Sequence, residues 1–228
     1  VKVLCFETLS GKILSIEGSY ESFNDPEEDI STEITLLTGI ENKMVDGKII
    51  DWNEVDSLFQ GVDIIIAHNA SFDRAFIDRF SSISPSKVWA CSINDIDWLE
   101  RGFTSSKQEL LCYWHGFYFD AHRAMNDVDA LIHLLTFDTG LERPLLELIK
   151  NSNKSEFVIY AEHFKYDPFK KDILKGNKYR WNPNDKLWFK KVNPDELEHE
   201  KDWLTATIYN QVFKGRVEEI IPNNKYKL

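Results

Sequence analysis

Cysteine is scarce in this 228-residue chain. Cys5, Cys91 and Cys112 are three in number, far apart and without paired spacing. That excludes a disulfide scaffold and a cysteine-built zinc site, and it suits a reducing, cytoplasmic compartment. Long apolar runs are missing too. The longest are of the kind Ile64-Ile65-Ile66-Ala67, far short of the roughly 20 residues that cross a bilayer, so no membrane partner is expected. The opening residues show neither a basic nor an apolar leader region. Positive charge is the minority sign, with 27 Lys and Arg against 38 Asp and Glu, net −11. Bulk electrostatics therefore disfavours coating a duplex, while carboxylates for holding cations are plentiful. There is no internal repeat and no low-complexity tract. What is present is core-forming material: 43% hydrophobic residues, with 7 Trp and 15 Phe, exclude global disorder.

Residues 1–6 and 13–23 read as strands joined by the Ser10-Gly11-Lys12 turn, a hairpin that ends at Asn24-Asp25-Pro26. Residues 30–39 read as irregular, closed by Thr38-Gly39. Residues 53–60 predict a short helix with Val55, Leu58 and Phe59 on one face and Asp51 as its cap. Residues 62–67 are a buried strand, His68-Asn69-Ala70 a loop, and Ser71 the cap of a helix reaching about Phe80. Phe72, Phe76, Ile77 and Phe80 form its apolar stripe. A short strand at 88–91 and helices at 105–114 and 124–135 complete an α/β pattern.

The composition changes near 140–155, where Asn151-Ser152-Asn153-Lys154-Ser155 reads as a polar linker. Residues 151–191 hold ten Lys or Arg against five acids, net +5, which leaves −16 for the rest of the chain. An acidic body over 1–140, a small basic module over 155–210 and a tail over 211–228 are the expected parts.

Two clusters could carry chemistry. His68-Asn69-Ala70-Ser71-Phe72-Asp73 joins a buried strand to a helix, which is where ligands bind in α/β sheets. Asp73 there could face a metal, or merely complement the helix dipole. His122-Arg123-Ala124-Met125-Asn126-Asp127 places an imidazole before a helix and a carboxylate inside it. Metal-assisted phosphodiester hydrolysis needs both kinds of group: oxygen ligands for a hard cation, and a base near neutrality for the attacking water.

Together with Thr38-Gly39-Ile40, Ile66-Ala67 and the stretch 107–116, these clusters resemble the DEDDh family of 3′–5′ exonucleases, which includes the epsilon subunit of bacterial DNA polymerase III and ribonuclease T. The resemblance covers residues 1 to about 138. It implies an RNase H-like fold, a pair of Mg²⁺ or Mn²⁺ ions, Asp73 and Asp127 as metal ligands, His122 as general base, and Asn69 as a nucleic-acid contact. The implied partners are a single-stranded nucleic-acid 3′ end and a DNA polymerase. The family's first motif, Asp-x-Glu on the opening strand, is not matched. Either Cys5-Phe6-Glu7-Thr8 is a degenerate copy of it, or residues 1–6 correspond to the family's second strand. Only 19 positions separate Glu7 from Pro26, too few for two further strands. The second alternative is therefore favoured. It predicts a chain without the first strand and its two acids, and with little or no activity as it stands. A non-catalytic nucleic-acid or polymerase-associated module is the rival reading.

In the basic module, residues 157–161 read as a strand, 170–175 as a Lys-rich helix and 179–190 as a hairpin flanked by Trp181 and Trp188. Residues 195–204 read as an acidic helix. This stretch resembles a small module found behind such exonuclease domains and in other nucleic-acid enzymes. The tryptophans are expected to form its core, as so small a module requires. Lys170, Lys171, Lys175, Lys178 and Arg180 are the expected contacts to nucleic acid.

Overall fold

Gly11 makes the first turn: its φ of 67° lies where residues with a side chain are disfavoured, and a Cβ there would come within 3.3 Å of Leu146. The turn joins β1 (Lys2–Phe6) to β2 (Ile13–Ser19) as an antiparallel hairpin, from Lys2↔Ser19 to Phe6↔Ile13. The computed structural model describes residues 1–120, 123–138, 140 and 142–227. Among these, β1 has β2 on one side and no strand on the other. The chain divides into two units, Val1–Asn153 with Tyr226–Leu228, and Lys154–Lys225.

In the first unit, α1 (Thr32–Thr38) and α2 (Asn42–Val45) follow the hairpin, then α3 (Trp52–Gln60), β3 (Ile64–Ala67), α4 (Ala70–Ile77), β4 (Val88–Cys91), α5 (Gln108–Trp114), α6 (Ala124–Thr136) and α7 (Pro144–Ser152). The irregular stretch expected over 30–39 is instead largely α1. Ser31 caps it, its Oγ accepting from the Ile34 N–H at 3.3 Å, and Gly39 ends it in the left-handed region. With β-branched Ile34, Thr35 and Thr38 and no buried residue, α1 has no apolar stripe to announce it. The cap of α3 is Asp51, as expected, with Oδ1 accepting from the Asn53 and Glu54 N–H groups.

Strands β3 and β4 pair in parallel, Ile64↔Val88 through Ala67↔Cys91, with α4 in the crossover. Two expectations for α4 fail. Its cap is Asn69, with Ser71 inside the helix, and its Phe stripe faces outward: Phe72 is 76% exposed. The helix buries Ala70 and Arg74 instead. Arg74 donates to Asp78 Oδ2 at 3.1 Å and to the Pro85 carbonyl at 3.3 Å, and lies over the Trp89 ring. Phe76 and Phe80 gather with Trp52, whose ring stacks on Phe80 at 4.9 Å. Phe76 and Phe80 thus pack laterally with Trp52, while Ile77, the one aliphatic member of the expected stripe, meets the core beside Ala70 and Arg74.

One core cluster joins Trp98, Leu111, Cys112, Leu134 and Leu148 to Phe6, Ile64 and Ile66 from the strands. Another joins Val55, Phe59, Ile65, Trp89 and Tyr226. Part of the expected linker is helical. Asn151 and Ser152 close α7, Ser152 is fully buried, and the Asn151 amide donates to the Asp95 carbonyl.

The second unit contains β5 (Glu156–Ala161), α8 (Pro168–Gly176), β6 (Arg180–Asn182), β7 (Leu187–Val192), α9 (Leu197–Leu204) with a π turn after it, and β8 (Arg216–Ile220). Its sheet has the order β6-β7-β5-β8, antiparallel throughout. Residues 211–228 are no simple tail, since β8 pairs with β5 from Tyr160↔Arg216 to Glu156↔Ile220. Ile159, Leu174, Leu204 and Ile208 form the centre of this unit's core.

Candidate active site

The parallel register ends β3 and β4 side by side, so the residues that leave them, His68 and Ser92, are neighbours. His68 Nδ1 and Ser92 Oγ form a hydrogen bond of 2.7 Å. Asn69 then turns the chain with φ 69° and ψ 52°, a conformation asparagine tolerates, and its side chain is exposed. Ala70 is fully buried and its N–H donates to Cys91 Sγ at 3.4 Å, which pins the start of α4 to the end of β4. Asp73 follows in the first turn of α4.

This environment withdraws water from both titratable groups. Burial pushes the Asp73 carboxyl up to about 6, only partly opposed by a backbone hydrogen bond. Burial pulls the His68 imidazole down to about 4, so it is neutral at pH 7. Among the described residues no neighbouring charge contributes to either shift. The helix start favours an anion, yet desolvation dominates.

The second cluster is built on α6. Asp127 sits in its first turn, with its N–H donating to the Arg123 carbonyl. The Gln108 amide donates to the Asp127 carbonyl at 2.6 Å, which ties α5 to α6. Burial first, and then the Asp127 charge, push the Cys112 thiol up to about 12, so the thiol stays protonated. Arg123 Nη2 donates to the Gly39 carbonyl at 3.2 Å. Gly39 has φ 67°, and a Cβ there would lie 2.9 Å from that same Nη2. Three of the stretches singled out in the sequence, around Gly39, 107–116 and 123–127, are therefore in direct contact.

The structure does not join everything that was expected together. No hydrogen bond or ion pair connects Asp73 with Asp127, and Asp127 does not contribute to the Asp73 shift. His122 lies outside the described residues. Glu7, the acid of the degenerate first motif, is exposed in the hairpin turn, where its carboxylate accepts from Ser10. Among the described residues no group of three or more His, Cys, Asp or Glu could hold a metal ion. Asp73 and Asp127 supply hard oxygen ligands of the right kind. They do not by themselves fit a centre in which two cations share several carboxylates. The His68–Ser92 pair was not anticipated as part of the site. Its signal was the equal offset of the two residues from the ends of two apolar strands.

In the second unit Lys170 is already engaged, donating to the Ile208 carbonyl at 2.7 Å and lying over Phe164. Lys171 is half-buried, whereas Lys175, Lys178 and Arg180 are exposed.

The sequence profile of a family described as Exonuclease, of the RNase T type, matches residues 4–135. DNA polymerase III of the PolC type from Halalkalibacterium halodurans is 24% identical over 197 residues, covering 81% of this chain and 12% of that protein. The chain thus spans a small fraction of that relative's length. No solved structure matches it. Among the described residues no helix is long and apolar enough to cross a membrane.

Proposed function

The chain belongs to this exonuclease family, with its RNase H-like α/β fold, and from that premise we propose that it is a metal-dependent 3′–5′ exonuclease of the polymerase III epsilon type. Its products are nucleoside monophosphates, released from a single-stranded 3′ end. The observation that carries the reading is Asp73, a half-buried carboxylate in the first turn of the helix that follows a buried strand, pushed up to about 6 with no cation beside it among the described residues. Such a group is costly unless it serves a ligand, and a divalent cation would stabilise its charged form. Asp127 is its proposed co-ligand, and His122 is the proposed acceptor of the water proton, through the family resemblance. The likeness to a DNA polymerase III of the PolC type supports a DNA polymerase as partner.

A second reading has its own observation. With no group of three metal-binding side chains among the described residues, the unit could hold nucleic acid without cutting it. Mononucleotide release from a 3′-labelled strand in Mg²⁺ or Mn²⁺ separates the two. We expect weak release that needs the metal and falls to background in Asp73→Ala. Release that persists in Asp73→Ala, or without metal, overturns the proposed site. Undiminished binding with no release at all selects the non-catalytic reading.

A further inference from the structure

Trp181 does not occupy the place expected of it. Its cross-strand partner Trp188 is in the core, 8% exposed, whereas Trp181 is 47% exposed. The cause is topological. β6 is a three-residue strand at the edge of its sheet, so among the described residues Trp181 has β7 on one side and no strand on the other. Its indole packs on Trp188 in a tilted pair, with centroids 5.4 Å apart and planes at 54°, and about half of the residue remains open to solvent.

The charges along this stretch are mostly positive. Lys175 lies in the last turn of α8, Lys178 in the left-handed residue that reverses the chain, Arg180 at the start of β6, and Lys186 in the left-handed turn before β7. All four are exposed, and among the described residues none makes an ion pair. The cations closer to the core are used up: Lys190 on Glu200, Lys170 on Ile208, Arg216 on Glu162 and Glu218. The one acid of the hairpin turn, Asp185, accepts from the Asn182 amide.

We propose that the β6 edge of the second unit is a binding site for single-stranded nucleic acid, with Trp181 stacking on a base and Lys175, Lys178, Arg180 and Lys186 meeting the flanking phosphates. A stacking site needs a flat aromatic face, backed by the fold and open on one side, with unpaired cations at its margin. Duplex bases present no free face to such a ring, so the strand must be unpaired. An acidic protein would match the charges but leave the indole without a purpose. The inference rests on the nucleic-acid reading of the chain, and it uses none of the residues around Asp73.

Binding of a labelled oligothymidylate to the full chain, followed by fluorescence anisotropy in EDTA, tests it without any cleavage. Trp181→Ala should weaken binding about 5- to 150-fold and Trp181→Phe much less, the range expected for losing one stacked base. An oligomer with abasic sites should bind the native chain as weakly as the intact strand binds Trp181→Ala. Lys178→Gln, Arg180→Gln and Lys186→Gln together should flatten the log–log salt slope by about 2 units, at roughly 0.7 per lost phosphate contact. Near-ultraviolet circular dichroism checks that the unit stays folded, and the charge variants leave its core untouched. Unchanged affinity in Trp181→Ala, or equal binding of intact, abasic and polyglutamate chains, overturns the proposal and marks a surface that reads acid charge alone. A native chain that binds no strand in EDTA sinks this site, while metal-dependent 3′ release remains the separate test of the nuclease reading.

Discussion

Glu200 in the second unit and Asp73 in the first are both withdrawn from water, but their surroundings differ. Glu200 is 5% exposed, and its carboxylate accepts from Lys190 at 2.6 Å, from the Asn177 amide at 2.8 Å and from the Tyr179 hydroxyl at 3.0 Å. Burial and the Glu200 charge together push the Tyr179 hydroxyl up, so it stays a donor. Asp73 has no cation beside it among the described residues, and its own carboxyl bears the cost as a raised pKa. A carboxylate that completes a fold arrives with its partners, whereas one held ready for a ligand is left in deficit.

The comparison can be broken most forcefully at Glu200. Glu200→Ala strips three donors of their acceptor and should destabilise the second unit by about 3–5 kcal/mol, read from urea unfolding. An effect below about 1 kcal/mol would mean that the network is incidental.

Asp73 offers a finer test, because His68 lies five residues away and titrates in the opposite sense. The Asp73 pKa is raised from 3.8 to about 6, so its stabilising contribution is complete below pH 3.8 and lost as pH rises through 6. The His68 pKa is lowered from 6.5 to about 4, so its contribution is complete above pH 6.5 and lost as pH falls through 4. The two slopes oppose each other between pH 4 and 6.5. Asp73→Asn should unmask the His68 slope, so that stability climbs over that window by on the order of 2 kcal/mol more than in the native chain. Parallel pH profiles for the two proteins would contradict the burial assigned to both groups.

The smallest expected effect is at Gly39→Ala. Left-handed φ and a Cβ 2.9 Å from Arg123 should cost about 1–2 kcal/mol. Because Arg123 precedes the helix of Asp127, the change should also reduce metal-dependent release. A stability loss without an effect on release would confine Gly39 to a structural role.

Where a local signal set the structure, it was legible beforehand. Asp51 capped α3 because its carboxylate reaches two N–H groups, and the run ending at Ala67 formed β3 because continuous apolar residues demand burial. What escaped depended on distant partners. β8 is polar at Arg216, Glu218 and Glu219, and becomes a strand through its pairing with β5. The Phe stripe of α4 has helical spacing, but the core it should have met is filled by Arg74 over Trp89. Periodicity reveals a stripe without saying which side the protein will cover. The candidate site was read from motifs, and the contact between Gly39 and Arg123 joins two of them. The burial that perturbs Asp73 and His68 comes from the packing around them, which no spacing encodes.

The return of the chain at Tyr226 has a thermodynamic consequence. Tyr226 is buried in the core of the first unit, and its hydroxyl donates to the buried Asp95 carboxylate at 2.8 Å. The second unit is therefore an excursion of about 70 residues inside the first, and its two ends are brought together by the Glu156↔Ile220 pair of β5 and β8. While that sheet is intact, the excursion behaves as a short connection. Once it melts, seating Tyr226 requires closing a long floppy loop, at an entropic cost on the order of 2 kcal/mol. Melting the inserted unit thus loosens the C-terminal clasp of its host, so the two should unfold with linked free energies although each has a core of its own.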